Sequence, residues 1–244
     1  GLGNVDRRRG NYAQAENYAR ESQELCSGIG QISGEAASLG LQGDVAYNRG
    51  DFKQAISCYE AALSTFRQLG DQHGIADFCL SLAFIKIDME KLNEAESHLQ
   101  EALSIGHSLN ARLVLIRAQY HLARVARARG QLEEALAQVE RTLEAARGAG
   151  SRLLEAAGHH LLGDILSQQQ QPARGEVHMI QGLRLFENLG DRFETAWTLR
   201  SYARLLKKRG DISRAHGQLQ RAAALFEELG AERELVRTKY ELVQ

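Results

Sequence analysis

The sequence is poor in the residues that interrupt helices and in those that cross-link chains. It holds one proline in 244 residues, against an average usage near ~5%, which excludes a proline-punctuated, loop-rich fold. Three cysteines, Cys26, Cys58 and Cys79, are odd in number and far apart. They fit reduced, buried thiols in a cytoplasmic protein better than a disulfide framework or a zinc site. Aromatic residues are only 6% of the chain. No run approaches the ~20 apolar residues of a membrane-spanning helix. The opening Gly1-Leu2-Gly3-Asn4-Val5-Asp6-Arg7 lacks the apolar core of a secretory signal. Neither sign of charge is in excess: 30 Lys and Arg face 31 Asp and Glu, for a net charge of −1. That balance removes the bulk attraction that drives nucleic-acid binding, so nucleic acid and membrane are not the expected partners of this segment, although a local basic patch stays open.

What the sequence has is a repeat. Gly10-Asn11-Tyr12-Ala13-Gln14-Ala15 returns as Gly50-Asp51-Phe52-Lys53-Gln54-Ala55, as Gly130-Gln131-Leu132-Glu133-Glu134-Ala135 and as Gly210-Asp211-Ile212-Ser213-Arg214-Ala215. Weaker copies begin at Glu90 and Gln170, so six copies stand in one 40-residue register. A second signal lies midway between them: Leu69-Gly70-Asp71, Leu189-Gly190-Asp191 and Leu229-Gly230-Ala231, with Ile29-Gly30, Leu109-Asn110 and Ala149-Gly150 as fainter forms. Glycine, or Asn at 110, ends a helix in a left-handed cap. Asp51, Asp71, Asp191 and Asp211 stand where they can cap the next helix, and Pro172 stands where a helix tolerates proline. The residues between are helix formers. The pattern predicts helical hairpins whose helices run roughly 16–18 residues. It counts eleven helices between residues 11 and 243, the last one short, after a partial helix at the N-terminus.

Small and large residues recur in fixed columns. One reads Gly3, Gly43, Ala83, Ala123, Gly163, Ala203; another reads Ala15, Ala55, Ala95, Ala135, Gly175, Ala215. Small residues let helix backbones approach, and no single hairpin can bury such a face alone, so neighbours must stack. The fold expected is all-α, a right-handed α-solenoid of about six stacked antiparallel helix pairs in one array over residues 1–244. The fourth full hairpin, with Gln168-Gln169-Gln170-Gln171-Pro172, Gly175 and Gly182, is expected to be the loosest joint. The chain begins and stops in the middle of a first helix, as expected of a segment of a longer multidomain protein.

These columns resemble the tetratricopeptide repeat: large-then-small in the first helix, a Gly turn, then Ala, a large residue and Ala in the second. The resemblance covers essentially the whole chain. It departs from the common form in its 40-residue period and in using Leu-Gly-Asp where a proline usually ends the second helix. This longer variety is similar to the repeats of bacterial LuxR-type and STAND signalling regulators, and more distantly to Pins-type Leu-Gly-Asn repeats.

The resemblance implies that first helices line a concave face. The inward columns it gives start with Asn4, Arg7 and Arg8, and continue with Asp44, Tyr47 and Asn48. Next come Asp77, Leu80, Phe84 and Asp88, then Arg117, Tyr120, Arg124 and Arg127. His160, Asp164 and Gln168 follow, then Trp197, Arg200, Arg204, Lys207 and Lys208. The signs are segregated, acidic in the second full hairpin, basic in the third and strongly basic in the fifth. Arginines beside Tyr120 and Trp197 suit an acidic or C-terminal peptide through bidentate and stacking contacts. The alternative is that these are solvated faces with ordinary i, i+4 partners. A chaperone clamp needs Lys and Asn at two inner columns, which instead carry Gly40, Leu80, Tyr120, His160, Arg200 and Asp44, Phe84, Arg124, Asp164, Arg204.

No phosphate loop, zinc-binding His-Glu-x-x-His or nucleophile pattern is present. His159 and His160 are adjacent and point apart, and Cys58 and Cys79 read as packing residues. No catalytic, metal or cofactor residues are therefore expected. The leading expectation is a non-enzymatic, protein- or peptide-binding module from a bacterial signalling or transcriptional regulator, with pairing between copies through exposed solenoid ends also open. A small-ligand (inducer) sensor, and the scaffold region of an enzyme whose catalytic domain lies elsewhere, are the alternatives.

Overall fold

The computed structural model describes residues 2–244, and every regular element among them is an α-helix. In chain order they are α1 Leu2–Arg9, α2 Tyr12–Gly28, α3 Ile32–Arg49, α4 Phe52–Leu69, α5 Gln72–Asp88, α6 Leu92–Ser108 and α7 Arg112–Ala128. They continue as α8 Leu132–Gly148, α9 Arg152–Gln168, α10 Pro172–Leu189, α11 Arg192–Lys208, α12 Ile212–Glu228 and α13 Glu232–Leu242. Twelve helices thus follow α1, not the eleven counted from the turn signals. Eleven run 17 or 18 residues and α13 has 11.

The turns follow the glycine spacing. Gly50 has φ 91°, and the amides after α3 close back on it, Gly50 to Tyr47 O at 2.8 Å and Asp51 to Ala46 O at 2.9 Å. This is the paired closure that satisfies the last carbonyls of a helix. The same φ sign holds at Asn110, and also at Glu90 and Gln170, where the sequence offers no glycine. A side chain in that region costs on the order of 1–2 kcal/mol, so packing of the flanking helices imposes the turn. All four expected caps form: Asp51, Asp71, Asp191 and Asp211 accept from the amides of Gln54, Gly74, Glu194 and Arg214. Pro172 opens α10.

The contacts divide the chain into two compact units, with the boundary inside α7 between His121 and Leu122. In the first unit, successive helices from α1 to α6 pack in sequence order. The core there is Ala55, Ala62, Ala76, Cys79, Leu80, Ala83, Ile85, Ala95, Leu99 and Ala102, all fully buried. A Cβ on Gly43 would lie 2.6 Å from the Tyr59 ring, so α3 and α4 meet where the sequence placed its small column. In the second unit α8 to α13 also pack in order, around Val139, Ile165, Met179, Leu199, Ala203, Ala215 and Phe226. Here one expectation is corrected. The fourth hairpin, α9 and α10, is closely packed: a Cβ on Gly175 would sit 2.8 Å from the Gly163 carbonyl, and one on Gly182 would sit 3.1 Å from the Ala156 carbonyl. Its extra glycines bring the two backbones together instead of loosening the joint.

Candidate functional site

Odd-numbered helices are the first helices of the hairpins, and their candidate residues are tied to the next odd helix by charge. In the first unit Arg7 of α1 lies 3.4 Å from Asp44 of α3, whose other oxygen accepts from Tyr59 at 2.8 Å. Burial, then the Asp44 carboxylate, pushes the Tyr59 phenol well above its usual range. Asp77 of α5 pairs with Arg117 of α7, and Tyr47 donates to Asp88. An aromatic line runs beside these pairs. The Phe84 ring lies 4.7 Å from Tyr47 and 5.8 Å from His121, which in turn has Tyr120 edge-on at 5.1 Å. Phe84 and Tyr120 are half-buried, and Asp77 is exposed.

The second unit repeats the arrangement with more burial. Arg127 lies 3.7 Å from Asp164 of α9, and Arg124 is buried. His160 bridges α9 to α11, with Thr198 Oγ1 at 3.1 Å on one ring nitrogen and Ser201 Oγ at 3.1 Å on the other, and Asp164 at 3.6 Å. Burial would raise the Asp164 carboxyl, but His160 and Arg127 hold it below its usual value. His159 points the other way, as expected. It stacks on His178 of α10 at 5.2 Å, with Nδ1 atoms 3.0 Å apart and the Arg147 guanidinium 2.9 Å from Nε2.

The fifth-hairpin basic group is expected to line the concave face. Arg200 is instead 2% exposed. Its guanidinium sits 4.7 Å over the Trp197 ring and 2.5 Å from the Glu234 carboxylate of α13. Burial lowers its proton affinity, with Glu234 opposing. Its Nε makes no hydrogen bond among the described residues and lies 3.9 Å from Glu241. Arg204 grips Glu241 with two bonds, of 2.9 and 2.5 Å, which raise its proton affinity. Lys207 donates to the Glu241 carbonyl at 2.5 Å. Lys208 is exposed and Trp197 half-buried.

The structure therefore joins Asp44 with Arg7, Asp77 with Arg117, Arg127 with Asp164 and His160, and Arg200 and Arg204 with α13. The carboxylates Glu234 and Glu241 escaped the sequence reading, as did Thr198, Ser201 and His121. The signal was there: opposite charges recur 34 to 40 residues apart on successive odd helices. Paired in this way, the odd-helix faces offer exchangeable ion pairs flanked by rings, a surface that can trade an internal partner for an incoming one. One group with metal-ligand chemistry lies elsewhere, at Cys79, His98 and Glu101.

A family model described as the MalT-like TPR region matches residues 2–158, and a tetratricopeptide repeat model matches residues 154–228. No curated protein sequence matches the chain. Among solved structures it is similar to a Rap protein complexed with competence and sporulation factor, at 16% identity and a TM-score of 0.75 over 94% of this chain. The chain spans 63% of that protein's length. A signal transduction ATPase with numerous domains from Pyrococcus horikoshii, which carries a tetratricopeptide repeat sensor, is similar at 18% identity and a TM-score of 0.60. The match covers 90% of this chain and 33% of that one. A thermophilic tetratricopeptide repeat protein of Thermus thermophilus has 22% identity and a TM-score of 0.57, covering 86% of this chain and all of that one.

Proposed function

This chain belongs to the MalT-like tetratricopeptide repeat proteins, and from that premise we propose that it is a non-enzymatic interaction module whose odd-helix faces take a peptide or partner segment. Both matching family models are of tetratricopeptide repeats, which generally mediate protein–protein interaction. The observation that carries the assignment to these faces is the run of partly exposed ion pairs on them. Asp77, Arg117, Arg127, Asp164 and Arg204 each face a neighbouring helix's opposite charge at the surface, and Tyr120, Phe84 and Trp197 supply the rings beside them. An acidic side chain or C-terminal carboxylate entering the second unit replaces Glu241 on Arg204 and packs against Trp197, exchanging one charge-assisted contact for another at small net cost. Lys208 adds an exposed cation on the same helix. In the first unit Asp44, Asp77 and Asp88 offer the complementary acceptors to a basic partner group. The parent protein is then a larger signalling or transcriptional regulator in which the repeats are the sensing arm, a reading supported by the similarity to the sensor of the Pyrococcus ATPase.

The test is selection from a randomised peptide library on the immobilised chain, followed by affinity measurement for charge-reversal variants. Arg204→Glu is the right change because that side chain is half-exposed; Arg200→Glu would instead place two carboxylates in a buried space. Acidic peptides should be enriched, and Arg204→Glu and Arg127→Glu should each weaken them at least ~10-fold, about 1.4 kcal/mol, under conditions where a melt shows each variant still folded, because Glu241 and Asp164 lose their partners. Equal affinity for the variants overturns the assignment to these faces. Absence of peptide selectivity together with thermal stabilisation by a saturating sugar or nucleotide would favour the inducer-sensor alternative.

A further inference from the structure

Cys79 of α5 is fully buried and was read from the sequence as packing. The structure gives it two neighbours on α6. One potential ligand atom each of Cys79, His98 and Glu101 lies within 4.8 Å of the other two. His98 and Glu101 are three residues apart on one helix, which stacks them on the same face. The thiol donates to the Glu101 carboxylate. Arg67 of α4 holds both oxygens of that carboxylate, at 2.8 and 2.9 Å. A surface cleft of about 580 Å³, lined by Glu60, Leu63, Ser64, Arg67, Leu82 and His98, opens beside the group. The cluster thus joins α4, α5 and α6 and has its own path to solvent.

We propose that Cys79, His98 and Glu101 form a three-ligand site for a divalent, borderline-soft transition metal of the zinc class. Thiolate, imidazole and carboxylate are the donors such an ion takes, and three protein ligands plus a solvent-facing fourth position make its usual open site. A tetrahedral ion needs its ligand atoms roughly 3.5 Å apart, so pairs up to 4.8 Å apart must close by up to about 1.3 Å, a movement for the His98 and Glu101 side chains on α6. Burial pushes the Cys79 thiol up to about 12, with Glu101 adding to the effect, so without a metal the sulfur stays protonated and an incoming ion must displace that proton to bind. Burial lowers His98, which leaves its imidazole neutral and able to ligate at neutral pH. Binding forms a metal–sulfur bond and breaks the S–H bond. One proton leaves to solvent, and the thiolate charge and the Glu101 charge together neutralise the dication. Arg67 is the competitor: its guanidinium is the countercharge on Glu101 and must turn toward the cleft, beside Glu60, when the metal arrives. Occupied, the site would bind α5 to α6 and fix the α4 junction next to them, on the even-helix side of the first unit and away from the proposed partner face.

The test uses the whole chain, stripped of metal and kept reduced, titrated with Co²⁺ and then with Zn²⁺ as competitor. The proposal expects one ion per chain, a thiolate-to-Co²⁺ charge-transfer band in the near ultraviolet, one proton released per ion, and displacement by Zn²⁺. Cys79→Ser should abolish the band, and His98→Asn should weaken binding at least ~10-fold. Arg67→Gln should tighten it, because the competing cation is gone. Cys26→Ser and Cys58→Ser should leave the band unchanged. The serine and asparagine changes are close in size to the originals, and a circular-dichroism melt of each variant without metal checks that it is folded. No saturable Co²⁺ uptake by the folded wild type, or a charge-transfer band that survives Cys79→Ser, overturns the site. Either result leaves the partner-binding proposal untouched, since His98 and Glu101 lie on α6 and Cys79, although on α5, is fully buried.

Discussion

Glu234 is the residue whose removal tests the reading of the fifth hairpin most sharply. Its carboxylate and the Arg200 guanidinium are 5% and 3% exposed and 2.5 Å apart. Taking away one member of a buried pair strands the other and costs about 3–5 kcal/mol. Two contacts soften this: Glu241, 3.9 Å from Arg200 Nε, and the Trp197 face beneath the guanidinium, the latter worth about 1–2 kcal/mol when desolvated. The contacts of Glu234 with Arg233 and Arg237, at 3.5 Å, reach cations that are partly exposed, and add little. Glu234→Ala should therefore lose about 2–4 kcal/mol in urea unfolding. Trp197 is the chain's one tryptophan and lies against Arg200, so its fluorescence reports the unit concerned. The double variant Arg200→Met, Glu234→Leu should recover most of the loss, because an apolar pair of similar volume does not pay for desolvating charge. A loss under ~1 kcal/mol in the single variant would show that Arg200 reaches water or re-pairs with Glu241 and is not locked as described.

Other consequences can be checked in the same way. Burial, with His178 and Arg147 adding to it, lowers His159 to about 4. The unfolded chain takes up that proton near 6.5 and the folded chain does not. Stability is thus full above about pH 6.5 and falls as the pH drops toward 4, by up to about 3 kcal/mol from this residue. A melting series over that range should show the fall, and His159→Asn should flatten it; equal slopes in both proteins refute the assignment. Gly175→Ala should destabilise by about 1–3 kcal/mol, since its Cβ meets a backbone carbonyl that cannot rotate away, while Gly217→Ala, with open space around it, should be neutral or stabilising in the same melt. A neutral Gly175→Ala would mean that α9 and α10 do not approach as closely as described.

Most of the helix plan could be read from the sequence because turns are local chemistry. Gly50 with Asp51, or Gly190 with Asp191, states a helix end and the next start within two residues. Glu90 and Gln170 could not be read as left-handed turns, because their backbone is set by packing that no local residue announces. The shape of the fourth hairpin was misjudged for a related reason. A glycine signals a loose segment or a close approach equally well, and only the facing Gly163 carbonyl decides. The candidate surface was half legible. Periodicity placed Asp44, Arg127 and Arg204 on odd helices, but their partners follow offsets of 34 to 40 residues rather than a fixed 40, so charge pairing did not show in the register. Arg200 stood in an inward column given by the resemblance, which says nothing of its depth; its burial comes from α13, whose Glu234 and Glu241 the repeat columns did not mark. Cys79, His98 and Glu101 sit on two helices, and a spacing of that kind matches no contiguous motif.

The central claim is that partners bind on the odd helices. Hydrogen exchange of the chain, free and saturated with a library-selected peptide, measures this directly. The account predicts added protection in α5, α7, α9 and α11, with α4, α6, α8, α10 and α12 unchanged. Protection concentrated in the even helices would contradict it.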